Sequence, residues 1–226
     1  MFKAMIFDMD GVIIDSEPFH EEVNLNIFKE LGIKAGSEEC RKYIGSSHTE
    51  MWTTIKKNFL LPHSVSDLVN MQVTGNINYL KHNDFDPIPG IIPLLEELKI
   101  NNILTGVASS AAMESIETVA EKLDIRKFFD VLVSGEHMEK SKPNPQIFLH
   151  TAKILKVEPE NCVVIEDAQK GVMASKRAGM KCVGFKNPNS GNQDLSLADL
   201  TIEKIEELNI ERIREMFYKK HKNPPK

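Results

Sequence analysis

The 226-residue chain carries 28 basic and 33 acidic side chains, a net charge of −5 at pH 7, and 41% hydrophobic residues. A chain of this length buries a core without metal or disulfide staples, and its composition excludes intrinsic disorder. No apolar run approaches the ~20 residues of a membrane helix, the acidic balance argues against broad nucleic-acid binding, and the first apolar run stops at Asp8, so no signal peptide is expected.

In chain order, residues 3–7 read as a strand without polar alternation. From 16 to 83 only helical patterns follow. Ser16 is placed to cap a helix with acid and proline in its first turn, Glu17 and Pro18. Phe19, Val23, Ile27, Phe28 and Leu31 recur at helical spacing, and Gly32 ends the run. Further helices are expected over 38–43, 49–59 and 64–81. The return through Asp84-Phe85-Asp86-Pro87-Ile88-Pro89-Gly90 is rich in turn formers and suits a hinge. Helices over 91–100, 112–123, 145–155, 169–178 and 202–217 then alternate with strands over 103–108, 131–133, 162–165 and 182–185. Apolar strands separated by helices predict an α/β fold, a doubly wound parallel sheet covered on both faces.

The organisation expected is an α/β core of residues 1–15 and 84–226, with an inserted helical segment over 16–83. Residues 218–226, lysine- and proline-rich, are expected to fray. Cys40, Cys162 and Cys182 form no CxxC pair, which points to buried thiols and a reducing, cytoplasmic setting.

Ligands of open parallel sheets bind beyond the carboxyl ends of the strands. Asp8, Asp10 and Gly11 follow the first strand, Ser109 the second, Lys142 the third, and Glu166 and Asp167 the fourth. Singly, each has an ordinary reading as a turn, a helix cap or a surface lysine; their order at successive strand ends is what points to chemistry. Carboxylates sharing a pocket repel, by on the order of 4 kcal/mol for a pair at about 4 Å and an effective dielectric of 20. The set therefore calls for a cation. Oxygen donors suit a hard divalent ion, and few protein ligands suit magnesium. Mg2+ with Lys142 would draw a phosphate dianion to the rim, and Gly11 lets backbone N–H groups approach it.

Asp8-Met9-Asp10-Gly11-Val12, Ser109, Lys142-Pro143 and Glu166-Asp167 resemble the four motifs of the haloacid dehalogenase superfamily. The position of the insert, and the stretch from Phe7 to Glu17, resemble the small helical cap of its β-phosphoglucomutase-like subgroup. The resemblance implies that Asp8 is a nucleophile forming an aspartyl phosphate, and that Asp10 is the general acid and base. It implies Mg2+ held by Asp8, Asp167 and the Asp10 backbone carbonyl, with Glu166 close by, and phosphoryl oxygens held by Ser109 and Lys142. An aspartate at position 10 separates phosphate chemistry from the dehalogenases.

Hydrolysis of a small phosphomonoester, a sugar or polyol phosphate, is the expected activity. The alternative is a phosphosugar mutase of the β-phosphoglucomutase type. Those mutases grip a second phosphate with basic cap residues and a Ser-Lys after the second motif. Here Ile44 and His48 stand at the basic positions, and Ala111-Ala112 follow Ser109-Ser110. A phospho-aspartate signalling domain is a third reading, disfavoured by length and by Asp10 beside the acceptor. His20, His48, Gly11, Gly45, Ser110 and Asn144 are candidate substrate contacts; Glu17 and Trp52 are weaker ones. The partner expected is a small phosphorylated metabolite, with no nucleic acid or membrane, and the chain a monomer or weak homodimer.

Overall fold

The computed structural model describes residues 1–218. Strand β1 (Ala4–Phe7) is buried along its whole length. Its side chains divide with the pleat: Met5 and Phe7 enter one apolar cluster, Ala4 and Ile6 another. Burial on both faces is what an unalternating apolar run requires.

After β1 come α1 (Glu17–Glu30), α2 (Ser37–Arg41), α3 (His48–Phe59) and α4 (Val65–His82). The chain continues through α5 (Ile91–Ile100), β2 (Leu104–Ser109), α6 (Met113–Lys122), β3 (Val131–Ser134), α7 (Gln146–Leu155) and β4 (Cys162–Glu166). It closes with α8 (Gln169–Arg177), β5 (Lys181–Phe185), β6 (Leu200–Ile202) and α9 (Ile210–Tyr218). The strands form one six-stranded sheet in the order β3-β2-β1-β4-β5-β6, parallel throughout. Residues of α5, α6 and α9 cover the Met5/Phe7 face, and residues of α7 and α8 the other. The expected doubly wound sheet is the observed one. Phe7 lies opposite both Val107 and Ile165, so the residues that follow in each strand emerge at one edge.

Helices α1–α4 have a core of their own, including Val23, Ile27, Phe28, Met51, Trp52, Ile55 and Leu68. Phe28 and Trp52 meet edge to face at 6.0 Å, and Trp52 Nε1 donates to Gln72 Oε1 at 2.8 Å. Ser47 with Glu50 and Ser64 with Asp67 form reciprocal capping boxes that start α3 and α4. The chain enters and leaves this helical block side by side: Ile14 bridges Pro87, and the Ile88 N–H donates to the Ile13 carbonyl at 2.8 Å. Lys170 Nζ meets Glu50 Oε2 at 2.8 Å, and Lys122 Nζ donates to the Asn83 carbonyl at 2.7 Å, tying the block to the sheet layer.

Two expectations are corrected. Ser16 precedes α1 but makes no capping bond; its hydroxyl is buried and has no hydrogen-bond partner among the described residues. The helix expected over 202–217 is broken. Residues 200–202 pair as β6, and the Glu207 carboxylate accepts from the Glu203 and Lys204 N–H groups at 2.8 and 2.9 Å, folding the chain into a turn. The helix starts only at Ile210, where Asn209 Oδ1 accepts the Arg212 N–H at 2.8 Å. All three cysteines are free and buried. No helix among the described residues is long and apolar enough to cross a membrane. Of the tail expected to fray, 218–226, Tyr218 ends α9 and the remainder lies outside the described residues.

Trp52→Ala is expected to lower stability by about 3–5 kcal/mol, read as a fall in the urea midpoint. Leu60 ends α3 in the left-handed region, φ 53°, with 87% of its surface exposed. Leu60→Gly should therefore raise stability by about 0.5–1 kcal/mol in the same assay, because glycine adopts this conformation without a Cβ clash.

Candidate active site

The register of the sheet places Asp8 after β1, Ser109 at the end of β2 and Glu166 at the end of β4. Lys142, from the loop between β3 and α7, reaches across to them. Its Nζ lies 2.8 Å from Asp8 Oδ1, 2.7 Å from Glu166 Oε1 and 3.2 Å from the Ala108 carbonyl. The Phe148 ring lies 5.0 Å beneath the ammonium and closes it from the core. Ser109 is fully buried; its hydroxyl accepts the Ala111 N–H at 3.0 Å and donates to Asp10 Oδ2 at 3.4 Å.

Asp8, Glu166 and Asp167 each bring a carboxylate oxygen within 4.8 Å of the others. Burial raises the pKa of all three, Glu166 to about 7 and Asp167 well above the ordinary range; Lys142 opposes the shift at each. Burial alone would pull Lys142 down, but Asp8 and Glu166 hold it above the usual lysine range. One ammonium faces three carboxyl groups, so full ionisation leaves two negative charges in excess. That donor set, all oxygen and short of positive charge, fits a hard divalent cation.

Two glycines make room for the carboxylates. A Cβ at Gly11, where φ is +74°, would sit 2.0 Å from Asp167 Oδ2. A Cβ at Gly171, inside α8, would sit 1.7 Å from Glu166 Oε1. Gly11 thus abuts the carboxylate cluster. Gly171 escaped the sequence reading; an isolated glycine in a helical pattern was the available sign. Ser190 and Asn187, in the loop after β5, were also missed. Ser190 Oγ donates to Asp167 Oδ2, and Asn187 Nδ2 donates to the Gly11 carbonyl at 3.0 Å. Nothing in their local sequence distinguishes them from an ordinary polar loop.

A cavity of about 540 Å3 lies under the helical block, with Glu17, His20, Glu21, Asn24, Arg41 and His48 among its lining. His20 Nε2 is 3.9 Å from Asp10 Oδ1, and the His20 and His48 rings meet edge to face at 6.5 Å. Burial lowers both imidazoles to about 4, so both are neutral at pH 7. Burial raises Asp10, against the Ser16 hydroxyl, His48, Lys142 and Ser109. Burial, helped by Asp10, Asp15 and Glu21, also raises Glu17 to about 7. Gly45 and Ile44 line the cavity too and pack on the loop after β5: a Cβ at Gly45, φ +78°, would meet Gln193 Nε2 at 2.9 Å.

Three sequence candidates lie elsewhere. Ser110 is exposed and outside the cavity lining. Asn144 caps the Gln146 N–H with its Oδ1 at 3.0 Å and faces a separate groove with Lys140 and His150. A side chain committed to its own helix start is not aimed at the cluster. Trp52 is consumed by the core of the helical block.

Gly→Ala in a helix ordinarily stabilises by about 1 kcal/mol; Gly171→Ala is expected to lower the melting temperature instead, because its methyl displaces a buried carboxylate. Lys142→Met strands two buried acids and is expected to cost about 3–5 kcal/mol at pH 7 in EDTA. Glu166 titrates near 7 when folded against 4.5 unfolded. Its contribution thus favours the fold below pH 4.5 and is lost as pH rises through 7. The Lys142→Met deficit, followed by urea unfolding, should therefore shrink as pH falls from 8 to 5.

The chain matches the family model of haloacid dehalogenase-like hydrolases over residues 5–185. It is 31% identical to hexitol phosphatase B of Escherichia coli K12 over 210 residues, 91% of this chain and 93% of that one. It is equally, 31%, identical to beta-phosphoglucomutase of Bacillus subtilis 168 over 223 residues, 94% of each. The crystal structure of beta-phosphoglucomutase from Clostridium difficile matches with a TM-score of 0.82 at 30% identity, covering 96% of this chain and 98% of that one. Sheet order, strand-end carboxylates and near full-length similarity agree, and the chain belongs to the haloacid dehalogenase-like hydrolase family.

Proposed function

We propose that the chain is a magnesium-dependent phosphatase that hydrolyses a small phosphomonoester, a sugar or polyol phosphate, through an aspartyl phosphate on Asp8. The observation that carries this reading is Lys142 Nζ bonded at once to Asp8 and Glu166, with Asp167 in reach of both acids. Asp8, Asp167 and the Asp10 backbone carbonyl would hold Mg2+, with Glu166 fixed beside them by Lys142. The ion supplies charge neutralisation for the phosphoryl group and the carboxylates around it.

In the first step an Asp8 carboxylate oxygen attacks phosphorus and the bond from phosphorus to the leaving oxygen breaks. Asp10 gives its proton to that oxygen. Its raised pKa, set first by burial, supports a protonated acid when substrate arrives. In the second step Asp10 takes a proton from water as the water oxygen attacks phosphorus. The acyl phosphate opens, Asp8 is restored and inorganic phosphate departs. Lys142 and Ser109 stabilise the charge on the phosphoryl oxygens. His20, neutral and 3.9 Å from Asp10 Oδ1, does not compete for its proton.

The cavity favours hydrolysis over phosphate return. Among the described residues Arg41 is the one lysine or arginine lining it, and its Nε already lies 3.6 Å from Glu21 Oε2. Glu17 and Glu21 add acidic groups, and the imidazoles are neutral. Among the described residues a second phosphate dianion finds no unpaired cation there, and each missing charge-assisted hydrogen bond is worth roughly 1.5–3 kcal/mol. Neutral hydroxyls suit the lining. The relative named hexitol phosphatase supports this substrate class. The mutase reading stands second, on the equally similar relative named beta-phosphoglucomutase.

Steady release of inorganic phosphate is expected from hexose or hexitol monophosphates with Mg2+, and none with EDTA. Asp8→Asn should lower kcat by at least about three orders of magnitude, and Asp10→Asn by about 10²–10⁴-fold. Incubation with β-glucose 1-phosphate and a bisphosphate primer separates the two activities. Glucose 6-phosphate forming without net phosphate release would replace hydrolysis by the mutase reading.

A further inference from the structure

The loop between β5 and β6 belongs to none of the strand-end motifs, yet two of its side chains bond to site residues and two more brace the loop around them. Asn187 Nδ2 donates to the Gly11 carbonyl at 3.0 Å, and Asn187 Oδ1 accepts the Asn189 N–H at 2.8 Å. Asn189 Nδ2 donates to Asp15 Oδ2 at 2.6 Å. Ser190 Oγ donates to Asp167 Oδ2. Gln193 accepts the Gln169 N–H at 3.0 Å and donates to the Ser190 carbonyl at 2.9 Å. The loop thus ties the segment after β1 to the segment after β4, and its centre is Ser190, 4% exposed.

Among the described residues Ser190 makes the sole hydrogen bond to the Asp167 carboxylate. Gly11 abuts the same oxygen beside Ser190. A Cβ there would lie 2.0 Å from Asp167 Oδ2 and 3.0 Å from Ser190 Oγ. Asp167 stands beside two further carboxyl groups, Asp8 and Glu166. Like charge drives it away from them; one donor and one steric wall hold it in place.

We propose that Ser190 is a positioning residue for Asp167, presented by the loop after β5, and that it sets Mg2+ affinity rather than the phosphoryl chemistry. The proposal rests on the metal reading given under Proposed function. The physical reason is orientation. A carboxylate held in its ligating rotamer before the ion arrives loses no freedom when it binds. Losing such an outer partner costs about 10–100-fold in metal affinity.

The test is calorimetric titration of Mg2+ into the metal-stripped full chain, with melting temperatures recorded in EDTA. Ser190→Ala should weaken Mg2+ binding about tenfold or more. It should raise the Mg2+ concentration for half-maximal phosphate release by the same factor, while kcat at saturating Mg2+ and KM for the phosphomonoester stay within about threefold. Should Ser190→Ala fail to fold, the isosteric pair Ser190→Thr and Ser190→Val carries the comparison, since only the threonine keeps the hydroxyl. A lowered melting temperature with Mg2+ affinity within threefold of wild type, or equal affinity for Thr and Val, would overturn the assignment and leave the metal reading intact. Wild-type protein that takes up no Mg2+ would overturn the metal reading and this inference with it.

Discussion

A single buried ammonium organises this protein. Lys142 stands between Asp8 and Glu166 at hydrogen-bond distance from both, with an aromatic ring below and the Ala108 carbonyl beside it. Three acids come together at the rim of the sheet, and removing them from water raises every one of their pKa values. Lys142 offsets part of that cost and leaves the rest for a divalent cation. That imbalance is what suits the cluster to a divalent cation and, on the proposed reading, to a phosphoryl group. Stability and chemistry therefore pull against each other at one place, and the parallel sheet beneath, buried on both faces, holds the arrangement.

The supports of the cluster are as specific as its members. Glycine is needed at position 11 because the Asp167 carboxylate occupies the space of its side chain, and at position 171 because Glu166 does. The loop after β5 closes the remaining side with Asn187 and Ser190. Acidic side chains that repel one another need such walls and donors, since electrostatics alone would scatter them.

Above this rim the helical block supplies a different environment. His20 and His48 are neutral through burial, Arg41 is paired with Glu21, and Glu17 sits near enough to Asp10 and Glu21 for their charges to raise its pKa. On the proposed reading the rim attracts a dianion once a divalent cation is bound, while the cavity suits uncharged, hydroxylated groups. One phosphate at one end of an otherwise neutral molecule matches that division of charge.

The sequence by itself determined the sheet and its helices, because a strand buried on both faces must be apolar throughout and a covering helix must repeat every three to four residues. It also ordered the reactive residues, since a parallel sheet carries every strand end to one edge. It did not reveal β6 or the turn before α9, where side-chain acceptors from Glu207 and Asn209 outcompete a helical pattern. Nor could it show that Asn144 bonds the start of its own helix while Ser16 leaves its helix uncapped. Only the tertiary structure decided which polar residues surround the acids: Ser190, Asn187 and Gly171 carry no periodicity or motif. Their roles come from distances across the fold, and contacts between residues far apart along the chain leave no trace in local sequence.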